Sequence, residues 1–168
     1  ERLEQAVIDL KADKEMNLET SSKVNVEIDL QIPTLIPDKY IDDMGLRLVL
    51  YKRIASAKSK DALDELQIEM IDRFGLLPEF TKNLFQITEL KLKAQRLGIL
   101  KITAGSKGKG NIEFSTTPNI DSKNIIKLIQ KHPNRYKLKG PNKIQFSIKK
   151  DAAKIEFING MLNKLGTS

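Results

Sequence analysis

Apolar and polar positions follow two different periods at the start of the chain. Residues 1–14 carry apolar side chains at helical spacing, which predicts an amphipathic helix, and the polar residues 14–23 indicate a linker. Residues 24–30 then alternate between apolar and polar side chains, a period that predicts a half-buried strand. The chain is therefore expected to open with a helix, a linker and a strand.

Three helices are predicted between the next prolines and residue 98. Pro33 and Pro37 remove backbone donors and disfavour helix at the residues before them, so this segment is expected to be extended. Ser59 is a predicted N-cap, and Gly75 and Gly98 are predicted to end the second and third helices. The predicted helices run from Asp38, as N-cap, through Ile54, from Lys60 to Phe74, and from Pro78 to Leu97.

The second half of the chain switches to short strands. A glycine-rich turn at residues 105–110 and a Gly-Pro-Asn turn at 140–142 each join two of them. The predicted elements are strands 99–103 and 111–114, a helix from Ser122 to His132, strands 136–139 and 143–148, and a helix from Asp151 to Leu165. Helices followed by β-β-α-β-β-α predict an α+β fold with a small antiparallel sheet.

Composition removes several classes of site. The 168 residues include no cysteine and a single histidine, His132, which excludes a disulfide scaffold, a thiolate metal site and a multi-histidine metal centre. No apolar run is long enough to predict a membrane span. The length suits one medium domain or two small ones. Because the chain begins at Glu1 in a helical pattern, without a starting Met or signal peptide, we expect an intracellular piece of a longer protein.

The net charge of +7 combines two halves of opposite sign. Residues 1–98 carry 15 basic and 18 acidic side chains, whereas residues 99–168 carry 14 basic and 4 acidic ones. The basicity therefore belongs to the second part of the chain, and the first part has an acidic surface of its own.

Neither a catalytic site nor a nucleotide site is predicted. The run GSKGKG at 105–110 resembles a phosphate-binding loop, but a strand follows it instead of a helix and Asn111 offers no hydroxyl for magnesium, which favours a hairpin turn. His132 stands at a predicted helix C-terminus, where the helix dipole favours a cation, and no nucleophile is placed to pair with it. The carboxylates fit solvated helix faces. We therefore expect neither an enzyme nor a bound cofactor or metal.

The lysine-rich half has two interpretations. Lys123, Lys127 and Lys131 recur every four residues on one helix face, and five more lysines surround the second hairpin. Such a patch could neutralise nucleic-acid phosphates. Base stacking, however, requires exposed aromatic rings, and the two nearby rings, Tyr136 and Phe146, alternate into predicted core positions. We favour a solvated surface and keep a nucleic-acid-binding module as the alternative.

The helix 60–74 is the most informative element, because two of its faces differ in chemistry. Its apolar and acidic stripes lie about 145° apart around the helix axis. The apolar stripe consists of Leu63, Leu66, Met70 and Phe74, and the acidic stripe of Asp61, Glu65, Glu69 and Asp72. Ile68 falls inside the acidic sector. Acids around an out-of-core isoleucine favour a docking surface for a basic partner, and the alternative is that Ile68 packs on a neighbouring helix.

Several segments resemble the C-terminal domain of the bacterial transcription-repair-coupling factors, the Mfd family. They are LRLVLYKRIASA at 46–57, EMIDRFGLLP at 69–78, IPTLIPD at 32–38 and LKGP at 138–141. The first two together are specific, and the resemblance runs from about residue 24 to residue 165. It implies that residues 24–168 form a C-terminal regulatory domain and that residues 1–23 end the preceding translocase module and its connector.

The resemblance implies a function that composition does not show. The parent protein would be a superfamily 2 ATPase that pushes stalled RNA polymerase along DNA and recruits the repair protein UvrA, with ATP and Mg bound by its motor. Its C-terminal domain is expected to be autoinhibitory: it docks on the UvrB-like N-terminal module of the same protein and masks the UvrA-binding surface until RNA polymerase is engaged. RNA polymerase and DNA would be bound by other domains, in the bacterial cytoplasm.

The expected docking surface lies on the helix 60–74. In the family this contact uses acidic residues on the helix before the Arg-Phe-Gly turn, and the matching positions here are Glu69 and Asp72. Asp61, Glu65 and Ile68 extend the expected surface by helix geometry alone. The resemblance implies no role for the lysine-rich half.

Overall fold

The elements follow the predicted order, with helices before most of the strands. The structure, a computed structural model, describes residues 25–149 and 153–166. Within these ranges the elements are β1 (Glu27–Asp29), α1 (Met44–Ser56), α2 (Lys60–Phe74), α3 (Glu79–Leu97), β2 (Ile99–Ala104), β3 (Lys109–Phe114), α4 (Ser122–Lys131), β4 (Tyr136–Leu138), β5 (Lys143–Ser147) and α5 (Lys154–Gly166). The predicted helix 1–14, the linker 14–23, the boundary at residue 23 and the helix start at Asp151 lie outside the described residues.

The α+β fold is confirmed, with a mixed sheet. The strand order is β1-β2-β3-β5-β4. Strands β2 to β5 pair antiparallel, whereas β1 pairs parallel with β2 and places Ile28 opposite Ile102. Parallel pairing requires a long crossover, and the three helices between β1 and β2 supply it. The sheet is therefore antiparallel, as predicted, except at its β1 edge.

Helix α1 begins later than predicted. Asp43 is its N-cap, since the Asp43 carboxylate accepts a backbone N–H of the first turn at 3.2 Å. The prediction of Asp38 as the cap is wrong for a tertiary reason. The Tyr40 hydroxyl donates to the Gly75 carbonyl at 2.7 Å, which holds the residues around Tyr40 in a turn against the end of α2.

Two hydrophobic cores share helix α3. Phe85 of α3 belongs to the core among the helices, and Leu90 and Ala94 belong to the core on the sheet. The helical core consists of Ile36, Ile41, Leu50, Ile54, Leu63, Leu66, Met70, Leu77 and Phe85. The sheet core includes Ile102, Ile112, Ile144 and Phe146 of the strands, Leu128 of α4, and Ile158 and Leu162 of α5.

The proline-containing segment bridges the two cores, and residues 31–37 contain no helix, in agreement with the prediction from the two prolines. Leu30 is buried in the sheet core and Ile36 in the helical core. The Leu35 carbonyl accepts a hydrogen bond from the buried Thr81 hydroxyl of α3 at 2.9 Å. The Ile36 N–H donates to the Tyr51 hydroxyl of α1 at 2.6 Å. These bonds pair backbone groups of the segment and tie it to both helices.

Gly110 occupies the closest approach inside the sheet. It lies opposite Ala104 of β2 and Phe146 of β5. A Cβ at this position would come within 2.5 Å of the Phe146 ring and would also clash with the Thr103 carbonyl oxygen. Only glycine fits there, so the packing of the central strands depends on it.

The variant Gly110→Ala is expected to destabilise the domain by about 3 kcal/mol, because overpacking forces strands apart or moves a buried ring. Gly160→Ala is the matched control: the added methyl group on α5 meets nothing within 4 Å outside its own helix, so better helix propensity should stabilise the domain by up to about 1 kcal/mol. Urea unfolding followed by circular dichroism measures both changes. Equal stability of Gly110→Ala and the unmodified chain would contradict the described packing.

Candidate docking surface

Helix α2 carries the surface that the sequence singles out. The Ser59 hydroxyl caps it by accepting the Ala62 N–H at 3.0 Å, and Gly75 ends it with φ of 95°, as predicted. Of the predicted apolar stripe, Leu63, Leu66 and Met70 are buried, while Phe74 is partly buried. Burial of this stripe turns the opposite side of α2 to solvent.

We define the acidic face of α2 as Asp61, Glu65, Ile68 and Asp72, with Glu69 at its edge. The four defining side chains are exposed, and Glu69 is partly exposed. Asp61, Glu65 and Asp72 form no ion pair with any residue that the structure describes. Their carboxylates are therefore exposed without an ion-pair partner among the described residues, although the charge of Asp61 acts on the adjacent Lys60.

Ile68 stands among these acids without cover. The side chain is 67% exposed, so the alternative in which Ile68 packs on a neighbouring helix does not hold among the described residues. An isoleucine on a helix face costs solvation free energy unless something covers it. One such residue is ordinary on a protein surface, but this one is surrounded by charge of a single sign.

Glu69 differs from the other acids because it already has partners. The Arg53 guanidinium of α1 donates two hydrogen bonds to its carboxylate, at 2.6 and 2.8 Å, and Arg73 lies 3.5 Å away. The hydrogen bonds from Arg53 lower the pKa of Glu69 below its ordinary value, with smaller contributions from the charges of Arg53 and Arg73. The bidentate pair links the exposed sides of α1 and α2, in addition to the buried contacts between the two helices.

This pairing changes which acids supply the negative potential. Two guanidinium groups compensate Glu69, so the field of the acidic face comes from Asp61, Glu65 and Asp72. Sequence reasoning missed Arg53, since it is sixteen positions from Glu69 on another helix and no periodicity links the two. Arg53 does lie within the block at 46–57 that carries the resemblance.

Apolar surface continues beside the acidic face. A cleft of about 280 Å³ between α2 and α3 is lined by Ile71, Leu76 and Phe85, among others. Leu76, in the turn after α2, is 84% exposed and Ile71 is 39% exposed. A partner that covers Ile68 could therefore also reach apolar groups at the C-terminal end of α2.

The other candidate sites of the sequence take ordinary structural roles. Residues 105–108 form the hairpin turn, with a hydrogen bond from the Gly105 N–H to the Lys109 carbonyl at 2.9 Å. The turn is shorter than the predicted 105–110, because Lys109 and Gly110 already pair with β5 as part of β3. His132 is the C-cap of α4, as expected. In the described ranges, His, Asp and Glu do not cluster into a group able to hold a metal ion, and no helix has the length and apolar character to cross a membrane.

Comparison with known proteins identifies the family. The model of the TRCF domain matches residues 30–125, a span that contains α1, α2 and the acidic face. The chain belongs to the transcription-repair-coupling factor family. This confirms the resemblance seen in the segments at 46–57 and 69–78.

Two curated relatives extend the match over nearly all of the chain. The transcription-repair-coupling factor of Haemophilus influenzae is 44% identical over 167 residues, and that of Escherichia coli strain K12 is 41% identical over 167 residues. Each alignment covers 98% of this chain and 14% of the relative. The chain thus spans about one seventh of the length of these transcription-repair-coupling factors.

A solved structure places the match at one end of such a factor. A crystal structure of the C-terminal domain of a transcription-repair coupling factor superposes with a TM-score of 0.72 and 25% identity, covering 87% of this chain and 92% of that one. The described residues therefore have the fold of the C-terminal domain of the transcription-repair-coupling factors.

The pairing of Glu69 gives a direct pH prediction. Arg53→Gln is expected to raise the pKa of Glu69 toward its ordinary value of 4.5, because the main group that stabilises the carboxylate is lost. A folded pKa below the unfolded one stabilises the domain above about pH 4.5, and this stabilisation is lost as pH falls through the folded pKa. Carboxyl ¹³C NMR titration measures the value.

Arg73→Gln serves as the control for this titration, since Arg73 lies farther from the carboxylate and should change the pKa of Glu69 less than Arg53 does. An unchanged pKa of Glu69 in Arg53→Gln would contradict the described ion pair.

Proposed function

We propose that this domain is a non-catalytic regulator of its parent transcription-repair-coupling factor. The acidic face of α2 docks on the UvrB-like N-terminal module of the same protein and masks the UvrA-binding surface until RNA polymerase is engaged. The observation that carries the proposal is the exposed Ile68 set among unpaired Asp61, Glu65 and Asp72. Membership of the family supports the same role.

The chemistry of the face defines its partner. Three carboxylates that form no ion pair among the described residues attract and orient a surface that carries Lys or Arg, and Ile68 requires an apolar contact at its centre. The charges determine which partner binds and in which orientation. Burial of the isoleucine adds a hydrophobic contribution to affinity, which salt does not screen. A basic surface with an apolar centre on the UvrB-like module would satisfy both demands.

The strength of such a contact suits a releasable clamp. Burying the exposed part of Ile68 contributes about 1–2 kcal/mol. Exposed ion pairs contribute about 0.2–1 kcal/mol each. The sum is a few kcal/mol, which keeps an intramolecular contact mostly closed and allows a competing partner to open it.

The two acids that the resemblance assigns would act differently. Asp72 is exposed and makes no ion pair within the described structure, so it would contact the partner directly. Glu69 is paired with Arg53 and Arg73, so it would mainly neutralise these two cations at the edge of the acidic face. These different roles of Asp72 and Glu69 are part of the proposal and do not follow from family membership alone.

The remaining features of the parent lie outside this chain. ATP and Mg would be bound by the motor of the parent protein, and RNA polymerase and DNA would be engaged by its other domains, in the bacterial cytoplasm. The C-terminal domain would affect UvrA only indirectly, because the two would compete for the same surface of the UvrB-like module. It requires a surface and no cofactor.

Charge reversal in the full-length protein tests the clamp. The double variant Glu65→Lys and Asp72→Lys is expected to bind UvrA without RNA polymerase, with apparent affinity raised about tenfold or more, because two attractions become repulsions. Pull-down and surface plasmon resonance with purified UvrA measure the change. Asp42→Lys combined with Glu156→Lys makes the same change of charge at exposed positions elsewhere and should stay silent. A double variant on α2 as silent as the wild type would refute the proposed surface.

Ile68 is tested separately, with the chain and the isolated UvrB-like module. Ile68→Ser should weaken their binding about tenfold and leave the free energy of unfolding of the chain within about 0.5 kcal/mol of wild type, since the side chain is exposed. Ile126→Ser, at an isoleucine of α4 that is 52% exposed, is the matched control and should leave binding unchanged. Titration calorimetry at two salt concentrations measures the affinities. Equal losses from both variants would count against a specific role of Ile68.

A further inference from the structure

A second charged surface, opposite in sign, lies on the sheet half of the domain. A cleft of about 400 Å³ at the C-terminal end of α4 is lined by Lys131, His132, Arg135 and Lys149, among others. We call these four residues the basic cleft. The backbone of Ser147 and Ile148 at the end of β5 forms the other wall. The span matched by the TRCF family model ends at residue 125, before the cleft begins.

The basic cleft is assembled by the fold from separate segments. Lys131 ends α4, Arg135 follows in the connection to β4, and Lys149 comes after β5. Lys164 of α5 adds a fourth cation near His132. Lys131, Arg135 and Lys149 form no ion pair with a carboxylate in the described part of the chain. Among the described residues, the fold therefore brings Lys131, Arg135 and Lys149 together without an ion-pair partner.

The dipole of α4 explains only part of the positive charge in the basic cleft. It favours Lys131 and His132 at the C-terminus of α4, but it does not account for Arg135 and Lys149, which lie outside that helix. Burial and the four surrounding cations lower the pKa of His132, so the cleft disfavours a further positive charge. Entry of an anion into such a site lowers the electrostatic free energy.

Arg135 is positioned in advance. Its guanidinium lies over the Phe157 ring, 5.7 Å from the ring centroid, and Arg135 also lines the cleft. The ring contact restricts the guanidinium. A restricted arginine loses less conformational entropy when it binds an anion, and its planar fork matches phosphate oxygens.

The positive charge extends from the cleft along α4. Lys123, Lys127 and Lys131 are all exposed and lie one helical turn apart, about 6 Å along the axis. A single small anion would occupy the cleft alone. A row of cations leading into it matches an extended ligand with repeated negative charges.

The aromatic residues nearby exclude recognition by stacking. Tyr136 and Phe146 are buried, which confirms their predicted core positions, and Phe157 is partly buried beneath Arg135. Single-stranded nucleic acid is usually bound by exposed rings on which bases stack. The charged groups that line the cleft and continue along α4 through Lys123 and Lys127 are cations, and cations contact the backbone phosphates that a duplex presents.

We propose that the basic cleft, together with Lys123 and Lys127, binds the phosphodiester backbone of duplex nucleic acid without regard to base sequence. The site lies on α4 and β5, whereas the acidic face lies on α2, so the two proposals are independent. Of the two interpretations of the lysine-rich half, this one gives the lysines a binding role in addition to solvation.

Binding of the chain to a labelled 20-base-pair DNA duplex tests the proposal. Fluorescence anisotropy between 25 and 300 mM salt is expected to show a logarithmic slope near −4, about −0.9 for each phosphate neutralised. Lys127→Ala and Lys149→Ala should each lower affinity severalfold at low salt and flatten the slope by about 1. Lys52→Ala removes an equally exposed lysine from α1 and should change neither quantity.

His132 provides a second, local readout, because it is the single histidine of the chain. Duplex binding is expected to raise the pKa of His132, measured by NMR of its ring signals, since phosphates offset the surrounding cations. Lys149→Ala should diminish this response. Inorganic phosphate, added alone, is expected to shift the ring signals far less than the duplex does.

Four results would overturn the proposal. They are absence of duplex binding at 25 mM salt, binding that Lys127→Ala and Lys149→Ala leave unchanged, tighter binding of the single strand than of the duplex, and a His132 response to inorganic phosphate alone. The last would assign the cleft to a small anion.

Discussion

Helix α3 is shared by the two hydrophobic cores, and this sharing determines how the other elements can be arranged. Phe85 near its start packs with α1 and α2, and Leu90 and Ala94 farther along pack against the sheet. The segment from Leu30 to Ile36 joins the same two cores by a second connection. Because both connections are buried, a shift of α3 would disturb the helical half and the sheet half together.

Charge is divided along the same line as the cores. The acidic face belongs to a helix of the helical core, and the basic cleft belongs to elements of the sheet core. The net charge of +7 therefore describes neither surface. Two surfaces of opposite sign on one framework select different classes of partner, so a partner of the acidic face and an anionic ligand of the cleft need not compete.

Sequence patterns predicted the features of this fold that depend on near neighbours. The Ser59 cap and the glycine ends of α2 and α3 follow from local backbone chemistry, and the structure confirms them. The prediction of where α1 starts was wrong because the Tyr40 hydroxyl donates a hydrogen bond to the Gly75 carbonyl, thirty-five positions away. No local sequence pattern indicates that contact. The parallel pairing of β1 was likewise invisible, since periodicity identifies a strand and not its neighbour.

The candidate site shows the same limit at the level of single side chains. Helical periodicity placed Ile68 and the acids on one face, and it did so correctly because their angular positions depend only on the helix. It could not tell that Arg53 already holds Glu69, which makes two acids of one stripe unequal. Loss of Asp72 would remove a charge from the acidic face. Loss of Glu69 would break an exposed ion pair between α1 and α2 and leave two guanidinium groups without their partner, while the buried contacts of Ile54 and Met70 would still hold the helices together. A change at Glu69 would therefore alter the field beside the acidic face through the freed guanidinium groups, whereas a change at Asp72 would report on direct contact.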